Sequence, residues 1–279
     1  MASGKLYSDM MPQAAGEFIR SRDEGEYALV DVRQPGEYER GHIPGAMLVP
    51  LTELKDRLGE LPMDRPLLLY CETGVRSSTA AGILGGRGWS DVINLLGGYS
   101  AWEGAAAVGS HNLGMKWLSE DEPPQRIFTY AYTLEENLGE FYRKLADAAE
   151  REDVRSTFRK LARFEDSHKT RVAGLAARFE PGLSEKDLSG DLGSMVFEGG
   201  VTLEELMSRR ELTARGPAGV VEIAMGFEAQ AMDLYSRYAA RAADETGEKA
   251  LLLLAQEEKD HLESLGRLLE DLSEHLEEG

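Results

Sequence analysis

The hydrophobic pattern divides the chain into two regions with different periodicities. Early in the chain, three short apolar runs occupy Tyr27 to Val32, Pro66 to Tyr70 and Val92 to Leu96. A short apolar run bounded by turn residues indicates a buried strand, and the stretch RSSTAAGILGGRGW between the last two runs indicates a helix. Strands that alternate with helices predict a parallel, doubly wound α/β sheet.

The later region places apolar residues at helical spacing. Four long amphipathic helices are predicted at Thr129 to Ala149, Val154 to Phe179, Val220 to Ala242 and Glu248 to Leu276. Short polar stretches join them in two pairs, and a connection over residues 180–219, with a short helix predicted at Leu203 to Arg210, joins the pairs. Two hairpins with one long crossover are typical of an all-α, ferritin-like four-helix bundle.

A breaker-rich junction, EDEPP at Glu120 to Pro124, lies between the two regions. A chain of 279 residues is long enough for two domains at about 150 residues each. We therefore expect an α/β domain at residues 1–107, a linker at 108–126 and a helical domain at 127–279.

Composition narrows the classes of function. The chain has 50 acidic and 31 basic side chains and a formal charge of -19, so a polyanion is repelled and no nucleic-acid partner is expected. The single cysteine, Cys71, excludes an internal disulfide, a CxxC zinc site and a cysteine-ligated cluster held by this chain alone. No apolar run approaches about 18 residues and the N-terminus lacks an apolar signal core, which predicts a cytoplasmic protein without a membrane partner.

The helical region contains a repeated pattern of carboxylate, tyrosine and imidazole. In the first hairpin, a glutamate lies seven residues before a tyrosine and 30 residues before an ExxH motif, and the same pattern recurs 93 residues later. The residues are Glu135, Tyr142, Glu165 and His168, then Glu228, Tyr235, Glu258 and His261. Residues at i and i+3 share a helix face, so the Glu and His of each ExxH motif point the same way. A separation of 30 residues takes the chain about 15 residues up one helix and 15 down the next, so the leading Glu lies at the same height as the ExxH motif. The spacing therefore predicts four carboxylates and two imidazoles in the bundle core.

A buried cluster of this kind is expected to bind cations. Buried carboxylates lose hydration and repel one another, and two divalent metals remove that cost. Mixed carboxylate and imidazole ligation without thiolates suits iron or manganese. We expect two iron ions, with manganese or a mixed pair left open. The competing interpretation is that the glutamates face solvent and the histidines are incidental.

The order E-x6-Y, ExxH, E-x6-Y, ExxH makes the segment from Ile127 to Leu276 resemble rubrerythrin-type ferritin-like proteins. The resemblance implies reduction of peroxide or oxygen, a homodimer, and bridging by two of the carboxylates. The implied ligands are Glu135, Glu165, His168, Glu228, Glu258 and His261, with Glu165 and Glu258 as the bridging ones. Tyr142 and Tyr235 are expected either to hydrogen-bond ligand carboxylates or simply to pack in the core. Ala231 stands where the family commonly has a further Glu. One cysteine cannot build a rubredoxin domain, so electrons are expected from an external donor or from the other half of this chain.

The cysteine ends a predicted strand and opens the loop CETGVR, after which a helix begins. Loop amides and the positive end of the helix dipole stabilise a thiolate, and equally a persulfide anion. Gly74 lets the loop curl around the sulfur, and Arg76 either complements an anionic donor or holds the loop by ionic contacts. The competing interpretation treats Cys71 as a small buried hydrophobic residue.

Three motifs in order, LVDVRQPGEYERGHIPGA, CETGVRS and VINLLGGYSAW, make residues 1–107 resemble the rhodanese family. The resemblance implies sulfur transfer, with Cys71 and Arg76 as catalytic residues. The supporting residues are expected to be Asp31, Arg33, Glu72, Thr73, Gly74 and Val75, besides the two tyrosines of the helical region. Glu72 departs from the family pattern, since it places a negative charge beside the nucleophile. This charge favours a protein or small-thiol persulfide over thiosulfate as the sulfur donor.

The two regions together predict a bifunctional enzyme. A persulfide on Cys71 would take sulfur from a sulfane donor such as thiosulfate or a persulfide and pass it to a thiol acceptor. A di-iron centre would reduce peroxide or oxygen, in a role linked to oxidative or sulfide stress. The alternative is an iron-binding or iron-sensing bundle whose first domain docks partners.

Overall fold

The computed structural model describes residues 5–115, 117–188 and 216–277, the last with side chains to residue 273. Two compact units divide the chain at residues 1–112 and 113–279. The predicted helix at Leu203 to Arg210 lies outside the described residues. Within the described ranges, no helix combines the length and the apolar character needed to cross a membrane.

The first unit is built on a parallel sheet of five strands in the order β1-β5-β4-β2-β3. Its strands are β1 at Ser8–Met10, β2 at Ala28–Asp31, β3 at Met47–Leu48, β4 at Leu67–Tyr70 and β5 at Val92–Leu95. The predicted parallel α/β fold is confirmed, with the three apolar runs as the three central strands. The outer strands β1 and β3 have only three and two residues, too few for any periodicity to show.

Helices cover both faces of the sheet. They are α1 at Pro12–Arg20, α2 at Pro35–Arg40 and α3 at Val75–Gly85. Successive strand residues point to opposite faces. Leu68 and Tyr70 therefore pack with residues of α1 and α2, whereas Leu69 and Cys71 pack with residues of α3. This alternation places the sulfur under the N-terminal end of α3.

The described residues of the second unit form helices. They are α4 at Pro124–Ala148, α5 at Glu152–Phe179, α6 at Glu185–Leu188, α7 at Pro217–Ala239 and α8 at Glu245–Glu277. The long helices and their pairing as α4 with α5 and α7 with α8 confirm the predicted bundle architecture. Helices α4 and α7 begin several residues before their predicted starts because Pro124 and Pro217 occupy the first helical turn, where a missing N–H costs nothing.

Two apolar clusters fill the bundle interior at different levels. On α5, one cluster ends at Ala162 and the other begins at Val172. On α8, the corresponding residues are Ala255 and Leu265. A layer of buried polar side chains therefore lies between two apolar layers, which isolates it from water along the bundle axis.

Candidate functional sites

The polar layer of the bundle contains all six predicted metal ligands. Each of the four long helices contributes to it, and each of the six residues is only 1–7% exposed. The residues are Glu135 on α4, Glu165 and His168 on α5, Glu228 on α7, and Glu258 and His261 on α8.

The first hairpin holds its three groups close together. His168 Nδ1 lies 3.0 Å from Glu165 Oε2 and 3.5 Å from Glu135 Oε2. Because α5 places Glu165 and His168 three residues apart, the two side chains share one face of the helix. Glu135 reaches them from α4, at the level that the 30-residue spacing predicts.

The second hairpin repeats this geometry. His261 Nδ1 lies 3.0 Å from Glu258 Oε2 and 3.6 Å from Glu228 Oε2. The rings of His168 and His261 stack with their centroids 3.2 Å apart. Ligand atoms from the two hairpins therefore converge, in three overlapping groups of three whose members lie within 4.8 Å of one another.

Burial and close polar contacts shift the pKa values of this cluster in different directions. Burial, with the charge of Glu228, raises the pKa of Glu165 well above its usual range. Burial also opposes ionisation of Glu135, but the hydrogen bond and the charge of His168 outweigh it and lower the pKa of Glu135 to about 2. Burial disfavours the imidazolium of His168, yet hydrogen bonds to Glu135 and Glu165 raise its pKa to about 9. The cluster therefore attracts positive charge.

The donor set fits two divalent cations. Four carboxylates and two imidazoles offer oxygen and nitrogen ligands at buried positions, and the only cysteine of the chain belongs to the other unit. Hard and borderline donors of this kind suit iron or manganese. The same six groups without positive charge would carry a large desolvation and repulsion cost.

The two predicted tyrosines lie deep in the unit, and both are fully buried. Burial raises the pKa of Tyr142 well above its usual range, and the charges of Glu165 and Glu228 add to this effect. Among the described residues, the Tyr142 hydroxyl has no hydrogen-bond partner. Its expected bond to a ligand carboxylate remains a prediction.

A small cavity borders the carboxylates, and sequence reasoning missed it. It is lined by Leu134, Leu138, Phe227 and Ala231, and by the carboxylates of Glu135, Glu228 and Glu258. The four apolar residues form two pairs at the 93-residue repeat, Leu134 with Phe227 and Leu138 with Ala231. That repeat was the available signal. Ala231, the position where the resemblance leads one to expect a further Glu, thus contributes a small apolar wall.

The sulfur site of the first unit is built from one contiguous loop. Cys71 directly follows β4 and is 1% exposed. The backbone N–H of Gly74 donates to Cys71 Sγ at 3.2 Å, and Ser77 Oγ lies 3.5 Å from the same sulfur. Gly74 has a φ of 88°, and a Cβ there would lie 2.9 Å from Leu95 O, so the tight curl of the loop requires glycine.

These contacts favour the thiolate. Burial by itself would raise the pKa of the Cys71 thiol, but hydrogen bonds from the Ser77 side chain and from the backbone N–H groups of Ser77, Thr73 and Gly74 outweigh it and lower that pKa. Sequence reasoning missed Ser77, although its place in the first turn of α3 was visible. The geometry favours a reactive cysteine over an inert core residue.

Arg76 forms a two-pronged ion pair with Glu37 of α2. Arg76 Nη1 lies 2.7 Å from Glu37 Oε2, and Nη2 lies 2.5 Å from Oε1. The hydrogen bond to Glu37 raises the pKa of Arg76, and the charge of Cys71 raises it further. The guanidinium therefore lies between a carboxylate and the sulfur, and Glu37 is a second residue that sequence reasoning missed.

Arg33 organises the other side of the loop. Buried to 2% exposure, it binds the Asp31 carboxylate through Nε and Nη2, with distances from 2.8 to 3.1 Å. Its Nη1 lies 3.1 Å from Glu72 Oε2, and Ser100 Oγ donates to Glu72 Oε1 at 2.9 Å. The charge of Glu72 is thus engaged by Arg33, which reduces its repulsion of an anion at the sulfur. Val75, at 71% exposure, lies at the open rim of the loop.

Comparison with known proteins assigns both units. The family model of the rhodanese-like domain matches residues 14–105, and the rubrerythrin model matches residues 126–204. A sulfurtransferase of Allochromatium vinosum is 40% identical over 83 residues, which cover 30% of this chain and 78% of that protein. Thiosulfate sulfurtransferase GlpE of Shewanella oneidensis is 34% identical over 94 residues, or 34% of this chain and 93% of that one.

The chain therefore belongs to the rhodanese family through its first unit, and a rubrerythrin domain follows it. The Bacillus subtilis protein YqhL is 47% identical over 76 residues, and the chain spans only 60% of its length. The rubrerythrin match ends at residue 204, before the second hairpin. The grouping of Glu228, Glu258 and His261 with the first-hairpin residues therefore rests on the geometry of the cluster and on the internal repeat.

Proposed function

We propose that this chain is a sulfurtransferase fused to a di-iron oxidoreductase that reduces peroxide or oxygen. The observation that carries the proposal is the burial of six convergent donor groups beside an apolar cavity, in a chain whose one cysteine lies in a thiolate-stabilising loop. The rhodanese family membership and the rubrerythrin domain support the same assignment.

Sulfur transfer requires the Cys71 loop, a sulfur donor and a sulfur acceptor. The Cys71 thiolate attacks the sulfane sulfur of the donor, the donor S–S bond breaks, and sulfite leaves if the donor is thiosulfate. The resulting persulfide is stabilised by the amide of Gly74 and by Arg76. An acceptor thiolate then attacks the outer sulfur, and Cys71 leaves as the thiolate, so no net oxidant is required.

The bundle supplies a buried ligand set beside a small cavity. Glu135, Glu165 and His168 would hold metal from the first hairpin, and their counterparts would do so from the second. A bound pair of iron ions would provide two electrons, which with two protons would reduce one hydrogen peroxide to two waters, and an external donor would restore the electrons. The apolar walls at Leu138 and Ala231 favour a small uncharged oxidant over a charged one.

Cyanide-dependent thiocyanate formation tests the sulfur half. With thiosulfate or a small persulfide as donor, we expect activity in the full chain and complete loss in Cys71→Ser. Thr79→Ser, an exposed change in α3, the helix that follows the Cys71 loop, is the control and should retain activity. Activity that persists in Cys71→Ser contradicts the proposed nucleophile.

Metal content and anaerobic peroxide titration test the other half. We expect two equivalents of iron per chain, loss of at least one in Glu165→Gln, and none lost in Glu140→Gln, an exposed position on α4. The ferrous protein should be oxidised by peroxide faster than free ferrous iron. Bound iron without faster oxidation would favour the iron-binding alternative, and a chain that binds no iron contradicts both.

A further inference from the structure

A chain of polar side chains leads away from the sulfur across the sheet, from the buried Ser77 and Asn94 to the exposed Asp9. Ser77 Oγ lies 2.7 Å from Asn94 Oδ1, and Asn94 Nδ2 lies 3.0 Å from Asp9 Oδ1. The sheet register explains the arrangement, because β1 and β5 pair Asp9 directly with Asn94. On the opposite side of β5, Asn94 pairs with Leu69, two residues before Cys71 and on the same face.

The hydrogen positions along this chain follow from chemistry. A carboxylate only accepts, so Asn94 must turn its NH2 group toward Asp9 and its carbonyl oxygen toward Ser77. That oxygen takes the single hydroxyl hydrogen of Ser77 at 2.7 Å, whereas Cys71 Sγ is 3.5 Å away. The sulfur and the Asn94 oxygen therefore compete for one hydrogen.

We propose that Asp9 and Asn94 are positioning residues that draw the Ser77 hydroxyl away from Cys71 and so limit the stability of its thiolate. When the thiol ionises or carries a persulfide, the hydroxyl turns to the sulfur and its bond to Asn94 breaks. The cost of breaking that bond opposes ionisation. The inference rests on the proposed nucleophile, but ionisation of the only thiol is measurable whether or not sulfur is transferred.

The other charged groups around the sulfur are the same in the unsubstituted chain and in a variant at Asn94. Arg76 faces Cys71 from α3 and is held by Glu37. Glu72 is bound by Arg33 on the other side of the sheet. Asp9 also pairs with Lys5. Substitution of Asn94 alters none of these charges, so its effect isolates the hydroxyl.

The test is the pH dependence of alkylation of the single cysteine by iodoacetamide in the full chain. Removing the acceptor with Asn94→Leu should lower the thiol pKa by about 0.5 pH unit, the size expected for one net hydrogen bond. Ser77→Ala should raise it, because only the hydroxyl is lost and the backbone N–H of Ser77 remains. In the Ser77→Ala background, Asn94→Leu should leave the pKa unchanged.

A second variant keeps the test decisive if Asn94→Leu does not fold. Asp9→Asn, at the edge strand β1, releases the Asn94 amide to rotate, so the thiol pKa should fall, and the fall should shrink in the Ser77→Ala background. A thiol pKa that is unchanged or raised by Asn94→Leu or by Asp9→Asn, with Ser77 intact, overturns the proposal. An equal fall with and without the Ser77 hydroxyl also overturns it, since the effect would then bypass Ser77. If the unsubstituted chain transfers no sulfur but the predicted pKa shifts are observed, the result counts against the proposed function and not against this inference.

Discussion

The two candidate sites of this chain are built in opposite ways. The sulfur site takes Cys71, Gly74 and Ser77 from seven consecutive positions and relies largely on backbone N–H groups. The metal site takes six side chains from four helices, between Glu135 and His261. A site made of backbone depends on one loop conformation, whereas a site made of distant side chains depends on how helices pack. Substitutions should therefore disturb the two sites by different routes.

The largest effect is expected where a buried ion pair supports the loop. Arg33→Ala leaves the buried carboxylate of Asp31 without its main partner, which should cost about 3–5 kcal/mol of unfolding free energy. Hydrogen exchange of first-unit amides during urea unfolding measures this loss. Arg57→Ala, which loses only the more exposed ion pairs with Glu53 and Glu60, is the control and should change little. A loss below about 1 kcal/mol in Arg33→Ala would show that this pair does not hold the loop.

The curl of the loop gives the second prediction. Gly74→Ala places a Cβ at a φ of 88° and 2.9 Å from Leu95 O, so we expect about 1–3 kcal/mol of destabilisation and slower alkylation of Cys71. Gly59→Ala, where a Cβ meets nothing within 4 Å, is the matched control. Equal behaviour of the two variants, by thermal unfolding and alkylation rate, would mean that the loop is not conformationally demanding.

Helix packing gives the corresponding prediction for the metal site. A Cβ at Gly139 would lie 3.2 Å from the Cβ of the proposed ligand Glu165, whereas one at Gly174 meets nothing within 4 Å. Alanine normally stabilises a helix by about 1 kcal/mol over glycine, so Gly174→Ala should raise the melting temperature. Gly139→Ala should gain less and should bind metal several-fold more weakly, as measured by chelator competition. Identical metal affinity in the two variants would show that the site tolerates displacement of α4 from α5.

The smallest expected effect is a pH dependence in the first unit. The Arg76 hydrogen bond outweighs partial burial and lowers the pKa of Glu37 to about 2 from its model-peptide value of 4.5. Because the folded pKa is depressed, this stabilisation is present above pH 4.5 and is lost as the pH falls through 2. With allowance for solvent screening, we expect about 1 kcal/mol. Urea unfolding between pH 6 and pH 3 should show a weaker decline in Glu37→Gln; an identical decline contradicts the assignment.

Much of the fold and of the metal site was accessible from the sequence because the determining patterns are regular. Apolar runs marked β2, β4 and β5, and helical periodicity marked the four long helices. The 30-residue spacing and the 93-residue repeat brought Glu135 and Glu228 to the level of the ExxH motifs. Each residue of a helix advances the chain by a fixed rise along the axis, so the number of residues between two positions predicts whether they lie at the same height in the bundle.

The partners of individual polar groups were not accessible in this way. Glu37 and Arg76 are 39 positions apart, and Ser77 and Asn94 are 17 apart, with no period that relates them. Each pair depends on which face of the sheet a helix covers and on the register between strands. The cavity beside Ala231 was missed for a related reason, since a void is a property of several side chains packed together.

By itself, the amino-acid order determined which groups are chemically competent: one thiol at a strand-to-helix loop, and carboxylates with imidazoles at one height on four helices. Only the tertiary structure decided how their charges are balanced. It directs Glu72 to Arg33, Arg76 to Glu37 and the Ser77 hydroxyl to Asn94. Local periodicity is encoded in consecutive residues, whereas a buried polar group takes whichever partner the assembled sheet and helices bring within hydrogen-bond distance.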